Sequence, residues 1–355
     1  MDTWQPLAAA TLVGSMPHTD RKKVIDLILR AIPEVPVWPQ LPSFQPEQMM
    51  IQYLEGLPGI RNEQGRVFLK ADAPEFEEEL YQFYEAYLRV TEGSGDLDES
   101  RFAMGPDTGK TLFEFLNTVR QTSPEFRAVK GQIVGPFTLL TTLKDHQDRA
   151  LVYDEQLQDV VVKHLALKVK WQVRQLKTLQ RPVIIFLDEP ALAGFGSSAF
   201  IAVSEELVQR LLSEVVESVR KAGALAGIHI CANTDWNLVF NTEVDVINFD
   251  AYNHFNRFAL YRQAFLKFIE KGRIAAWGMV PTDDPEIVLR ESARSLADLW
   301  LERIEQLIDP TVSRSAILAQ SLFTPSCGCG SLPAAAAERV VQITSELVPI
   351  MRSYL

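Results

Sequence analysis

The sequence predicts an α/β protein of the (β/α)8 TIM-barrel class, with an insertion between the second and third strands. Two observations carry this expectation. Eight short apolar, β-branched runs recur along the 355 residues, most of them separated by amphipathic stretches of ten or more residues. Several runs, such as VIIFL at 183–187 and AAWGMV at 275–280, are apolar throughout instead of alternating. Parallel strands covered on both faces have that pattern.

The expected strands are Thr11–Ser15, Pro36–Leu41, Ala128–Val134, Val183–Leu187, Leu225–Cys231, Val244–Phe249, Ile274–Val280 and Ala316–Phe323. Helical periodicity fills Arg21–Ala31, Asp154–Leu179, Ser204–Ala222, Phe258–Lys271, Pro285–Glu305 and Pro333–Met351. The stretch from Pro46 to Glu125 breaks the alternation. It reads as an insertion above the barrel mouth, with helices of its own and a hairpin around Arg66–Lys70. No Gly/Ser linker, repeat or low-complexity tract interrupts the chain, so a single barrel domain over 1–355 is expected.

Composition narrows the function classes. A net charge of −11 disfavours nucleic acid, which needs a surplus of Lys and Arg on one face. No apolar run approaches the roughly 20 residues that span a bilayer. The N-terminus, MDTWQPLAAATLVGSMPHTD, lacks the basic region of a signal peptide, so a cytoplasmic address is expected. Three cysteines, Cys231, Cys327 and Cys329, are too few and too uneven for a disulfide framework, which leaves metal binding or catalysis.

Active sites of such barrels form at the carboxyl ends of the strands. There the sequence sets Gly14-Ser15, Gln40, Asp188-Glu189, His229 with Cys231, Asp250, Asp283, and Cys327 with Cys329. Residues i and i+2 of a strand face the same side, so His229 and Cys231 can present an imidazole and a thiolate to one point. With Cys327, and with Asp250 as a candidate carboxylate, they form a soft N/S set suited to tetrahedral zinc. Such a zinc holds thiolates deprotonated and can activate an incoming thiol. Simpler readings stand beside this one. A lone His-x-Cys can be strand packing, CGCG a flexible turn, free Cys a small buried hydrophobe, and LDEPAL at 187–192 a helix cap around Asp188 followed by Pro190. His18 is a further candidate to face the site, whereas His146, His164 and His254 read as packed or solvated.

From TLVGSMPHT at 11–19 to TPSCGCG at 324–330, the chain resembles the catalytic barrel of cobalamin-independent methionine synthase, and in particular its short core-type members. That family belongs to a superfamily that includes uroporphyrinogen decarboxylase. The family's carboxylate-binding Ile-Gly-Ser is matched by Val13, Gly14 and Ser15. Its Asp-Glu-Pro-Ala-Leu is matched by Asp188 to Leu192, which implies that Asp188 contacts the substrate amino group. Its His-x-Cys matches His229 and Cys231, and its Asn-Pro-Asp-Cys matches Thr324 to Cys327. The motif that carries its Glu ligand reads here as Val244 to Asp250, so Asp250 stands in place of Glu, as a direct ligand or acting through water.

The resemblance implies a zinc-dependent methyltransferase that forms methionine from homocysteine. Departures from the family bear on the methyl donor. The family's Asp-x-His-Ser-Pro reads Pro281 to Pro285, so Asp283 occupies the position of a His that assists proton transfer to folate. A corrinoid donor leaves as cob(I)alamin without a proton, which points to methylcobalamin or a methyl-corrinoid protein over methyltetrahydrofolate. The family Glu near the second strand is displaced, and the nearest acid is Glu47, the expected amino-acid contact on that side. The alternatives are a metal-free decarboxylase of the uroporphyrinogen type, which needs an arginine-lined cleft, a methyltransferase for another small thiol, and a non-catalytic docking protein for a corrinoid carrier.

Overall fold

The computed structural model describes residues 4–122 and 125–355. Residues 1–3 of the N-terminal stretch and 123–124 of the expected insertion lie outside the described residues.

The strands, in chain order, are β1 (Ala9–Ala10), β2 (Ile60–Glu63), β3 (Arg66–Leu69), β4 (Val129–Val134), β5 (Val183–Asp188), β6 (Leu225–Ile230), β7 (Val246–Phe249), β8 (Ile274–Val280) and β9 (Ser321–Pro325). Seven of them form one curled parallel sheet in the order β1-β9-β8-β7-β6-β5-β4. The ring closes through the expected second strand, but at two points only. Val37 bridges Lys130 of β4, and Gln40 bridges Ser15 beyond β1. Proline accounts for the thin pairing, since Pro36, Pro39 and Pro42 have no N–H to donate. The fold is the expected α/β barrel.

The first and the last of the expected strands shift most. At the first strand the ladder is Ala9–Ala10, and Thr11 only adds one bond to Phe323 O (3.0 Å). At the last, residues 316–319 belong to the helix Arg314–Ala319. The Ser313 side chain accepts from Ala316 N and caps that helix, so the strand cannot begin before Ser321. Four of the six amphipathic stretches fold as single helices, while 258–271 divides into Phe255–Phe258, a 3-10 turn at Ala259–Tyr261 and the helix Arg262–Glu270. Asp20 caps Arg21–Ala31, Asp154 caps Glu155–Lys177 and Ser204 caps Glu205–Lys221, each accepting a backbone N–H of the first turn. The stretch 285–305 is two helices, Pro285–Arg290 and Ala293–Ile304, with Ser292 capping the second.

Between the proline-rich segment and β4 lie the antiparallel hairpin β2–β3 and the helices Phe76–Thr91 and Lys110–Thr122. Gln64 and Gly65 at the hairpin tip both have positive φ (52° and 85°), as a two-residue turn between twisted strands requires. Leu69 and Phe83 of this segment share one hydrophobic cluster with Val129 and Leu165 of the barrel. Among the described residues, no helix is long and apolar enough to cross a membrane.

The pleat sorts the barrel's side chains into layers. Ile185, Leu187, Ile228, Ile247 and Phe323 join the outer cluster beneath the helices. Their alternates Ile184, Phe186, Val246, Ile274, Ala276 and Leu322 form a separate inner cluster, the floor of the barrel. Two residues above that floor the inner positions become polar, with Asp188 on β5, His229 on β6, Asn248 on β7 and Thr324 on β9. Register holds three of them level, since Asp188 pairs with His229 and His229 with Asn248. The apolar floor leaves space for no side chain at Gly227, where a Cβ would sit 2.4 Å from Cδ1 of Phe186 and 3.3 Å from Cβ of Val246. Gly227→Ala is therefore expected to cost about 1–3 kcal/mol by overpacking. The check is a urea titration, in which the midpoint falls while the slope is unchanged.

Candidate metal centre

His229, Cys231 and Cys327 meet at the open end of the barrel, with one donor atom from each lying within 4.8 Å of the others. β6 carries His229, Cys231 follows directly after its last residue, and the turn after β9 delivers Cys327. This His/Cys/Cys group could hold a metal ion, and its chemistry suits zinc. His229 is buried, and its Nδ1 lies 2.5 Å from Oδ1 of Asn248. Its Nε2 is buried without any hydrogen-bond partner. An orphaned ring nitrogen beside two sulfurs is the donor set that a soft divalent ion satisfies.

The electrostatics follow from crowding. Cys327 donates its S–H to Cys231; although burial opposes it, this bond and the neighbouring His229 lower the Cys231 pKa to about 4. Cys327 is pushed strongly upward, first by holding that shared proton and then by burial. Burial works to lower the His229 pKa, but the Cys231 sulfur and the Asp188 carboxylate outweigh it and raise it. A metal bound at the trio would displace the protons that Cys327 and His229 now hold, because these groups ligate only when deprotonated. Cys329 stands apart. It is buried, its pKa is raised to about 12 by that burial, its N–H donates to Ser15 O (2.8 Å), and it lies outside the His229, Cys231 and Cys327 group.

A cavity of about 400 Å³ opens onto the trio. Its apolar walls are Val13, Pro42, Met49 and Pro190, and its polar groups include Ser15, Gln40 and Asp188. A larger hollow of about 630 Å³ beside Glu55 and Asp107 lacks converging reactive groups. Asp188 is buried, and its Oδ1 has no hydrogen-bond partner. Burial pushes its carboxyl up to about 6, against the pull of His229 and of Lys130. Gly14 lies behind this wall at φ +142°, where a Cβ would come 2.7 Å from Oε1 of Gln132.

Three expected site residues are not brought together with the others. Asp250, the expected fourth ligand, is outside the metal group. β7 ends at Phe249, and Asp250 turns back to accept from Asn253 N and Asn253 Nδ2 (both 2.8 Å). Asp283 is exposed on the rim, where it accepts from the same Asn253 Nδ2 at 2.6 Å. Glu47 is fully buried but faces away from the cavity. It accepts from Arg21 (3.0 and 3.2 Å) and from the Thr111 hydroxyl (2.7 and 2.8 Å), pinning the insertion to the first helix. His18 likewise pairs with Glu338 at 3.3 Å. Glu189, the second acid of LDEPAL, accepts from Phe137 N, Thr138 N and Thr138 Oγ1, tying the turn after β4 to β5.

Sequence reasoning missed Asn248 and Lys130. Asn248 is the one polar residue inside VINF, and the i, i+2 rule applied to His229 and Cys231 relates it in the same way to Asp250. Lys130 is a fully buried lysine on β4. Its Nζ donates to Val13 O (2.6 Å) and lies 4.3 Å from the Phe186 ring centroid. Burial pulls its pKa down to about 7, against the Asp188 charge. The signal for both was a polar residue on a fully buried strand, alone in VINF and beside Gln132 in VKGQIV.

Two measurements check this geometry. In metal-free protein, iodoacetamide is expected to modify Cys231 readily at pH ~6, because a thiolate with a lowered pKa persists until the pH falls towards that pKa. Cys329 stays unmodified until the chain unfolds, and peptide mass spectrometry distinguishes the two. Glu47→Gln is expected to cost about 2 kcal/mol, less than the ~3–5 kcal/mol of a fully enclosed pair because Arg21 reaches solvent. Cys231 alkylation in that variant should be unchanged, whereas altered alkylation would return Glu47 to the site.

No protein-family model matches the chain, and no curated protein matches its sequence. Among solved structures, the chain is similar to a methyltransferase from Methanosarcina mazei, with a TM-score of 0.54 and 13% identity over 96% of this chain and 94% of that one. A tandem GH20 catalytic module of the pneumococcal exo-β-D-N-acetylglucosaminidase superposes with a TM-score of 0.49 and 9% identity, over 96% of this chain and 85% of that one. The catalytic domain of the Bacillus sp. JAMB-750 GH26 endo-β-1,4-mannanase gives 0.41 and 16%, over 71% and 72%. The first likeness supports the barrel fold, and the chemistry is argued from the site's own residues.

Proposed function

We propose that the chain is a zinc-dependent S-methyltransferase that converts homocysteine to methionine, with a methylated corrinoid as donor in preference to methyltetrahydrofolate. The observation that carries this reading is the unpartnered Nε2 of His229 grouped with two cysteine sulfurs at the base of a cavity. The fold likeness to a methyltransferase agrees with methyl transfer in general.

His229, Cys231 and Cys327 would hold the zinc. When bound, zinc supplies Lewis acidity that keeps a substrate thiol ionised at neutral pH, with an open position left for it. The remaining tasks fall to this chain's own side chains. The free Oδ1 of Asp188 suits a substrate ammonium, and a carboxyl at about 6 is ionised at neutral pH. Ser15, Val13 and the Gly14 backbone form the wall assigned to the substrate carboxylate. Gly330 N approaches Ser15 Oγ at 3.4 Å, which leaves the hydroxyl proton free to be donated. Val13, Pro42, Met49 and Pro190 exclude water from the sulfur. Apart from His229, no imidazole lines the cavity among the described residues, and Asp283 is on the outer rim. A leaving group that requires protonation is poorly served there, which favours a corrinoid.

The purified protein is expected to carry about one zinc per chain, as three protein ligands with one open position imply. It should form methionine from homocysteine and methylcobalamin. Cys231→Ser and Cys327→Ser should each keep the fold and lower that rate by at least ~100-fold, exceeding the ~10–100-fold effect of residues that only support a ligand. Full activity in either variant, measured by chromatography of the product, sinks the zinc mechanism.

A further inference from the structure

Asn248 is fully buried on β7, level with His229 on β6. Its Nδ2 donates to Ala276 O of β8 (2.9 Å) and to Thr324 Oγ1 of β9 (2.8 Å). Thr324 Oγ1 in turn donates to Pro325 O (2.9 Å), so towards Asn248 it acts as acceptor. Both amide hydrogens are thereby committed. A flipped amide would set its oxygen against the Ala276 carbonyl, which has no proton to give. Oδ1 must therefore face His229, and it lies 2.5 Å from Nδ1. An amide oxygen only accepts, so the neutral ring carries its proton on Nδ1 and keeps a lone pair on Nε2. That is the nitrogen left without a partner beside Cys231 and Cys327.

We propose that Asn248 is a positioning residue, which fixes the tautomer and orientation of His229 so that Nε2 is presented as a ready-made ligand, with β8 and β9 holding the amide in place. The proposal rests on the reading of His229, Cys231 and Cys327 as a metal centre, and it deepens that reading. Four adjacent strands then act as one rigid frame for a single nitrogen atom. The ligand's orientation is set before any metal arrives, which removes the cost of selecting one of two tautomers on binding.

The test uses the full-length protein labelled with 15N at histidine. In the metal-free wild type, at a pH where the ring is neutral, Nε2 of His229 should give the resonance of an unprotonated nitrogen and Nδ1 that of an N–H. Asn248→Leu should give a mixed or reversed pattern. It should also lower zinc affinity by about 10–100-fold, read by competition with a chromophoric chelator. Asn248→Asp keeps the acceptor towards Nδ1–H but loses both amide donors and sets an oxygen against the Ala276 carbonyl, so it should keep the ring pattern while recovering only part of the affinity. A wild-type ring protonated on Nε2 overturns the proposal, and that measurement needs no variant to fold. Asn248→Leu that keeps both the wild-type pattern and the wild-type affinity overturns it as well. A wild type that takes up no zinc defeats the metal reading instead, and the ring resonances still judge Asn248.

Discussion

The parallel register across β5, β6 and β7 is the constraint on which the rest of the site depends. Because Asp188 pairs with His229 and His229 with Asn248, three polar side chains point into the barrel at one height. One residue of slip on any of these strands would turn its inward set towards the helices, where Leu187, Ile228 and Ile247 are now packed. The outer apolar cluster and the inner polar layer therefore enforce each other. The same hydrophobic burial that fixes the helices against the sheet also fixes the level of the imidazole.

Burying so many polar groups in a barrel is costly unless each finds a partner, and the pattern of partners separates structural from functional groups. Glu47 and Glu189 are fully buried and surrounded by donors, which makes them anchors, one for the insertion and one for the turn after β4. Asn248 is satisfied on both sides of its amide. By contrast, Oδ1 of Asp188 and Nε2 of His229 have no partner, and both residues line the cavity. A buried carboxylate and a buried imidazole left open on the same side indicate where a ligand belongs.

The buried Lys130 complements this picture from below. It stands over the Phe186 ring and holds the Val13 carbonyl, and its charge lies within reach of Asp188. The cavity thus rests on a lysine whose pKa burial pulls down to about 7 and carries the Asp188 carboxyl, while the wall Val13–Ser15 is tied to the floor through the same lysine. Gly14 permits the close passage of that wall over Gln132.

The alternation of apolar runs with amphipathic stretches was enough to specify the barrel, because burial on both faces leaves fully apolar strands that antiparallel sheets do not need, and eight such units point to a closed ring over an open sheet. The pairing of His229 with Cys231 was equally legible, since the two-residue period of a strand is a local property. Cys327 was placed by its position after the last strand. Asp250 and Asp283 were chosen by the same positional logic and Glu47 as the acid nearest a displaced family Glu, yet each is turned elsewhere by a partner that the sequence does not reveal, namely Asn253 for the first two and Arg21 with Thr111 for the third. The role of Asn248 depends on bonds to β8 and β9, whose residues lie 28 and 76 positions away. Local periodicity determined which residues could face the barrel interior. Only the closed sheet, by bringing distant donors and acceptors within hydrogen-bond range, decided which of them are satisfied and which remain open to a ligand.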